Sequence, residues 1–276
     1  MDKQLLKKLL VGEFSWKRFV RSLILIYLFF AIYVFFRADS MIFLPQPSSY
    51  KDTKEILKLT SANQTKLSAV YLVNPTAKYT ILYAHGNAED LGDIRPILEK
   101  LQNLGFSVFA YDYRGYGTSE GTPTEKHAYE DIDTAYNYLT QHLKIPPERI
   151  IVFGRSVGGG SAVDLAYRKP VAGLIVESSF ISAFRVVVPL PILPFDKFTN
   201  LEKIKRVNCP VLVMHGKADD TIPFAHGEQL FAAAPSPKLS LWVDEATHND
   251  FTWVAGESYG KILREFASLV AEKQRI

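Results

Sequence analysis

A single cysteine, Cys209, stands in the 276 residues. That scarcity excludes an internal disulfide framework and any metal site built from paired thiolates. No H-E-x-x-H segment offers other ligands, so no metal or other cofactor is expected. G-x-G-x-x-G and P-loop spacings are missing too. The nearest candidate, Asp112-Tyr113-Arg114-Gly115-Tyr116-Gly117-Thr118-Ser119, has the wrong spacing to cradle a phosphate and reads as a tight structural turn. The formal net charge is only +3, most of it N-terminal, and no basic and aromatic stripe follows, which argues against a nucleic-acid partner. Neither an internal repeat nor a long low-complexity linker interrupts the chain. The part beyond the N-terminal segment, about 225 residues, is enough for one sizeable core.

From residue 67 to 276, apolar runs alternate with longer amphipathic stretches, the pattern of βαβ units around a mainly parallel sheet with helices on both faces. Strands are expected over 67–73, 80–84, 107–111, 150–153, 173–176, 211–214 and 239–243. Helices are expected over 92–103, 125–142, 158–167, 223–233 and 258–272. The organisation that follows is a basic segment 1–22, an apolar segment 23–36, a connector and first-strand region 37–66, and an α/β domain 67–276.

Between an expected strand and an expected helix lies Gly154-Arg155-Ser156-Val157-Gly158. In that setting G-x-S-x-G places the serine on a strained turn, and glycines flank it because a Cβ would strike the neighbouring strand or helix. A serine hydroxyl needs a base and an oriented acid to become a nucleophile. Beyond the strand at 211–214, His215-Gly216-Lys217-Ala218-Asp219-Asp220 supplies carboxylates, and Ala246-Thr247-His248-Asn249-Asp250 supplies an imidazole after the strand at 239–243. Asp219 is nearest its strand end. Asp220 is the alternative acid, although it fits the cap of the next helix as well as Asp219 does, and Asp244 is a weaker rival. His226 falls within an expected helix, His127 and His142 on a polar helix, and His85 and His215 are suited to shaping turns, which leaves His248 as the base. Two N–H groups must also face the developing oxyanion. Val157, after the nucleophile, offers one; Asn87, in His85-Gly86-Asn87-Ala88-Glu89 after the strand at 80–84, offers the other, unless its side chain serves as a helix cap.

The order Ser156, Asp219, His248, with Tyr111-Asp112-Tyr113-Arg114-Gly115-Tyr116-Gly117 and Glu130-Asp131-Ile132-Asp133-Thr134-Ala135, resembles the α/β-hydrolase superfamily over residues 67–276. More narrowly, Ala84-His85-Gly86-Asn87-Ala88-Glu89-Asp90-Leu91-Gly92 and Leu241-Trp242-Val243-Asp244-Glu245-Ala246-Thr247-His248-Asn249-Asp250 resemble its membrane-associated subgroup that includes eukaryotic protein depalmitoylases. The resemblance implies a serine hydrolase and, less specifically, a thioesterase. Depalmitoylases of that subgroup carry an acylated N-terminal cysteine cluster, whereas this chain has no cysteine before Cys209.

A different anchor is therefore expected, the unbroken run of fourteen apolar residues at 23–36. As a helix it would extend about 21 Å, short of the ~30 Å hydrocarbon core, and recruiting Phe19 and Val20 makes spanning feasible. An uncleaved, spanning signal anchor is expected over 23–36, with a cleavable signal peptide and an interfacial helix as the alternatives. Leu5, Leu6, Leu9, Leu10 and Phe14 opposite Lys7 and Lys8 would also suit an amphipathic helix on a membrane surface. Lys3, Lys7, Lys8, Lys17, Arg18 and Arg21 precede the run and only Arg37 closely follows, so the N-terminus stays cytoplasmic and the domain lies on the trans side if the helix spans.

The only large insertion, 178–208, holds Val186-Val187-Val188-Pro189-Leu190-Pro191-Ile192-Leu193-Pro194-Phe195, whose prolines forbid a long helix. An apolar flap suits an acyl chain. The expected substrate is an ester or thioester of an apolar acyl group, borne by a lipid or an acylated protein. A serine aminopeptidase would need carboxylates for the substrate amine, and the flap offers only Asp196 and Glu202; a non-catalytic binding protein on the same fold is the remaining alternative.

Overall fold

The computed structural model describes residues 15–275. The expectations for residues 1–14, including the amphipathic face of Leu5 to Phe14, lie outside them. Two compact units divide the chain, Met1–Met41 and Ile42–Ile276. The second unit thus takes in residues 42–66, most of the expected connector and first-strand region, together with 67–276.

Within the first unit the apolar run forms part of a longer helix than its composition marks out. Helix α1, Trp16–Ile42, has 27 residues, and at 1.5 Å per residue it is about 40 Å long. Polar residues such as Arg18, Arg21 and Arg37 do not stop it, because helical hydrogen bonding is indifferent to side-chain polarity where no proline or glycine intervenes. Its large apolar side chains are exposed; Phe29 is 73% and Phe36 77% exposed.

The second unit is an eight-stranded sheet in the order β1-β2-β4-β3-β5-β6-β7-β8. The strands are β1 Leu57–Thr60, β2 Lys66–Leu72, β3 Thr80–Ala84, β4 Ser107–Tyr111, β5 Ile150–Arg155, β6 Gly173–Glu177, β7 Val211–Gly216 and β8 Lys238–Val243. β1 and β2 are antiparallel to their neighbours and the remaining pairs are parallel. β1 lies within 37–66, where a first strand was expected without bounds, because four residues at an edge carry too little pattern to delimit it. The central strands β3 to β7 are wholly buried, which is why they read as unbroken apolar runs rather than as alternation.

Alternate residues of these strands face two cores. Leu82, Phe109, Val152, Val176 and Val213 belong to one; Ile81, Tyr83, Val108, Ile151, Phe153 and Leu212 belong to the other. Covering them are α2 Arg95–Asn103, α3 Glu125–Asn137 with a π-helical turn after it, α4 Gly158–Arg168, α7 Ala225–Ala233 and α9 Glu257–Lys273. Short helices α5 Ala183–Val187, α6 Asn200–Ile204 and α8 Phe251–Val254 lie in the connections.

The functional loops follow the carboxyl ends of β3, β5, β7 and β8, where ligands bind in open α/β sheets. The tightest constraint is where α4 leaves β5. A Cβ on Gly158 would sit 2.1 Å from the Ala84 carbonyl oxygen, and one on Gly154 2.4 Å from the Gly158 oxygen. Backbone, unlike a flexible side chain, cannot yield to such contacts. Gly158→Ala is therefore expected to lose on the order of 3 kcal/mol, the upper part of the range for overpacking, in equilibrium urea unfolding. An unchanged midpoint would show that helix and strand have room to part.

Candidate active site

Ser156 sits between β5 and α4 at φ +53°, a left-handed conformation costly for a residue with a Cβ. Its backbone is held on both sides: the N–H donates to Glu177 O at 2.9 Å, and the carbonyl accepts from Gly159 N at 3.0 Å and Ser179 Oγ at 2.8 Å. This turn aims Ser156 Oγ at His248 Nε2, 3.0 Å away, while His248 Nδ1 is 2.9 Å from Asp219 Oδ2. All three residues are buried. With Nδ1–H donating to the carboxylate, Nε2 presents its lone pair to the serine hydroxyl, the tautomer that proton removal requires.

Asp219 uses both carboxylate oxygens. Oδ1 accepts from the amides of Thr221 at 3.0 Å and Ile222 at 2.7 Å, while Oδ2 faces His248 and lies 3.3 Å from His215 Nε2. Burial works to raise its pKa, but hydrogen bonds from His215, His248 and the Ile222 amide prevail and hold the carboxyl well below its ordinary range. The turn amides expected to suit Asp220 equally well go to Asp219 alone. Asp220 is exposed and meets only the Thr221 hydroxyl, at 3.3 Å, and α7 begins without a side-chain cap. Asp244 pairs with Lys217 at 2.6 Å on the surface. His226 accepts from the Ile181 amide at 3.2 Å, and burial followed by the neighbouring His215 lowers its pKa.

Val157 and Asn87 stand in the loops after β5 and β3. Among the described residues neither backbone amide donates to another protein group. The Asn87 side chain does not cap α2, which starts after Ile94 with no side-chain cap; it binds the backbone at Ile42 and Leu44 instead.

Arg155, which the sequence reading passed over, joins these loops. Its Nη1 donates to both oxygens of Glu89 at 2.8 Å, and Nη2 donates to the His248 carbonyl at 2.9 Å and to Asn249 Oδ1 at 3.2 Å. Glu89 Oε1 in turn accepts from the Gly86 amide at 2.6 Å. One guanidinium thus ties the loop of Asn87 to the loop of His248 across Ser156. The available signal was a cation at the second position of G-x-S-x-G with an acid in the loop after β3.

Glu177, opposite Arg155 in the β5–β6 register, is buried beside it, with Oε1 3.6 Å from Arg155 Nε. Burial raises its pKa from 4.5 to about 7 against the attraction of Arg155. The folded state then binds more protons than the unfolded chain between 4.5 and about 7, so this group makes stability fall as pH rises through that window. Glu177→Gln is expected to flatten that slope in urea midpoints taken across the window. A slope equal to that of the parent would contradict this placement of the charge.

A mostly parallel sheet, a serine on a left-handed turn and an imidazole between that serine and a carboxylate define an esterase-like α/β-hydrolase. Comparison with known proteins agrees. A family model described as serine aminopeptidase, S33, matches residues 75–201. Alpha/beta hydrolase domain-containing protein 17B of Xenopus laevis is 38% identical over 230 residues, covering 82% of this chain and 78% of the relative. Its Homo sapiens counterpart is 37% identical over the same lengths. Among solved structures, the Pyrococcus furiosus esterase Pf2001 superposes with a TM-score of 0.68 at 20% identity, covering 82% of this chain and 98% of that one. The chain belongs to the alpha/beta hydrolase domain-containing protein 17 family.

Proposed function

We propose that this protein is a membrane-anchored serine hydrolase cleaving ester or thioester bonds of apolar acyl groups. The observation that carries the reading is the continuous hydrogen-bonded line from Ser156 Oγ through His248 to Asp219. Ser156 attacks the acyl carbonyl as His248 Nε2 takes its proton, and Asp219 stabilises the imidazolium that forms. The Val157 and Asn87 amides receive the oxyanion. Collapse expels the alcohol or thiol, protonated by His248, and leaves an acyl-Ser156 ester. Water then attacks that ester with His248 again as base, releasing the acid and restoring the serine.

An apolar acyl group suits the flap between β6 and β7, where Val187, Leu190 and Ile192 are exposed. The subgroup resemblance favours an S-acylated protein or a lipid ester as its bearer. A peptidase reading finds less support. Asp196 is taken by the Ser182 hydroxyl at 2.7 Å and the Phe184 amide at 3.0 Å, and Glu202 pairs with Lys205 at the surface.

Ser156→Ala and His248→Ala are each expected to abolish nearly all hydrolysis of p-nitrophenyl esters, and the double variant to be hardly worse than either, because cooperating residues are grossly non-additive. Losses that multiply in steady-state kinetics would mean that the two do not act together.

The anchor rests on α1. Its length of about 40 Å exceeds the ~30 Å hydrocarbon core and allows tilt, and the basic residues before its apolar run, Lys17, Arg18 and Arg21 of the helix among them, keep the N-terminus cytoplasmic, with the catalytic unit on the trans side. The full chain is expected to resist alkaline carbonate extraction, to keep its N-terminus, and to expose its catalytic unit to protease on the trans side. Extraction by carbonate would rule out insertion. Carbonate resistance with a cytoplasmic catalytic unit would overturn the orientation.

A further inference from the structure

The three residues that end and follow α1 are bound by the loop proposed to hold the oxyanion. Asn87 Nδ2 donates to the Ile42 carbonyl at 2.6 Å, and Oδ1 accepts from the Leu44 amide at 2.9 Å and from the Tyr116 hydroxyl at 2.5 Å. The Leu44 amide also reaches the Tyr116 hydroxyl, at 3.0 Å. Only one orientation of the carboxamide satisfies this set, because a flipped amide would face the Leu44 N–H with its own donors. Ile42 ends a helix, so its carbonyl has no partner further along that helix and is open to such a donor.

Between these two anchored residues, the Phe43 side chain is 3% exposed, with its ring edge-on to Tyr113, Tyr116 and Phe198 at centroid distances of 6.4, 6.5 and 5.9 Å. Two of those neighbours touch the reaction centre's framework. Tyr113 Oη donates to the His85 carbonyl at 2.8 Å, and Phe198 lies on Gly160 in the first turn of α4, where a Cβ would be 2.3 Å from its ring. The loop itself needs holding. Ala88 has φ +57°, strained for a residue with a Cβ, and its amide bonds Asn87 Oδ1 at 3.0 Å.

We propose that the Asn87 side chain is a positioning group that makes residues 42–44 part of the catalytic apparatus, fixing the direction in which Asn87's own amide points. The inference rests on the serine-hydrolase reading. It deepens that reading by making the chain just after the apolar helix a determinant of the chemical step rather than a passive tether. The geometry of the oxyanion donor then depends on how this segment is seated.

The test measures single-turnover acylation of the full-length protein in detergent micelles by p-nitrophenyl butyrate, with end-point titration by a fluorophosphonate counting active sites. Asn87→Asp replaces the donor to Ile42 with an oxygen, and Leu44→Pro deletes the N–H that Asn87 accepts. Each is expected to keep its titrated site count and its Kd for the ester while the acylation rate per site falls roughly 100-fold, the scale of a misdirected oxyanion donor. Because both release the same seating of residues 42–44 on the Asn87 carboxamide, the double variant should be no slower than the worse single. Unaltered rates, or losses that multiply, would overturn the coupling. If Leu44→Pro yields no folded protein, Tyr116→Phe, which deletes one oxygen, decides: a rate lowered about tenfold supports the proposal, as a partial loss of the donor, and an unaltered rate overturns it. A folded parent protein that releases no nitrophenol and takes up no fluorophosphonate would refute the serine-hydrolase reading; an active parent with unaltered variants would refute the coupling alone.

Discussion

The site depends on one backbone approach, that of α4 to the end of β3 at Gly158 and Ala84. Because no Cβ intervenes, the helix starts directly above the sheet, and the turn before it can throw Ser156 into the left-handed region with its hydroxyl toward the loop after β8. Nothing in the serine itself favours that conformation. It is held by its amide on Glu177 O, by its carbonyl on Ser179 and Gly159, and by the two buried cores that fix β5 and β6 as neighbours. The strain at Ser156 is thus maintained by the folding of the whole sheet.

Arg155 carries that constraint outward. A buried guanidinium alone would be costly, but this one meets Glu89, Glu177 and a carbonyl from the histidine loop, so its desolvation is offset by several charge-assisted hydrogen bonds. Together those contacts raise its pKa further against the effect of burial, and the cation is permanent. The same loop is held from its other side by Asn87 on residues 42–44. The proposed oxyanion donor therefore lies between two clamps, one built on the nucleophile turn and one on the chain leaving the apolar helix.

Much of this arrangement was legible in the sequence, and for a physical reason. Buried parallel strands must be continuous apolar runs, and the loops at their carboxyl ends must carry the chemistry, so Ser156, Asp219 and His248 could be picked out by place and order. Choosing Asp219 over Asp220 needed only the distance from the strand end, although the turn bonds that Asp219 also makes were divided evenly between the two. What stayed hidden depends on partners far apart in the chain. The Asn87 carboxamide meets a segment 45 residues earlier, and Arg155 meets the His248 carbonyl 93 residues later, and neither separation leaves a periodic mark. β1 was too short for its bounds to show, and α1 ran past its apolar run because arginines and serines are compatible with a helix.

The central claim is that Ser156 is the activated group of this fold. Its most direct measurement is peptide mass mapping after treatment of the full-length protein with a fluorophosphonate. The account predicts one phosphonyl adduct, on the peptide containing Ser156, formed at a rate that falls when His248 is replaced. An adduct on another residue such as Ser178 or Ser179, or no adduct on a folded chain, would contradict it.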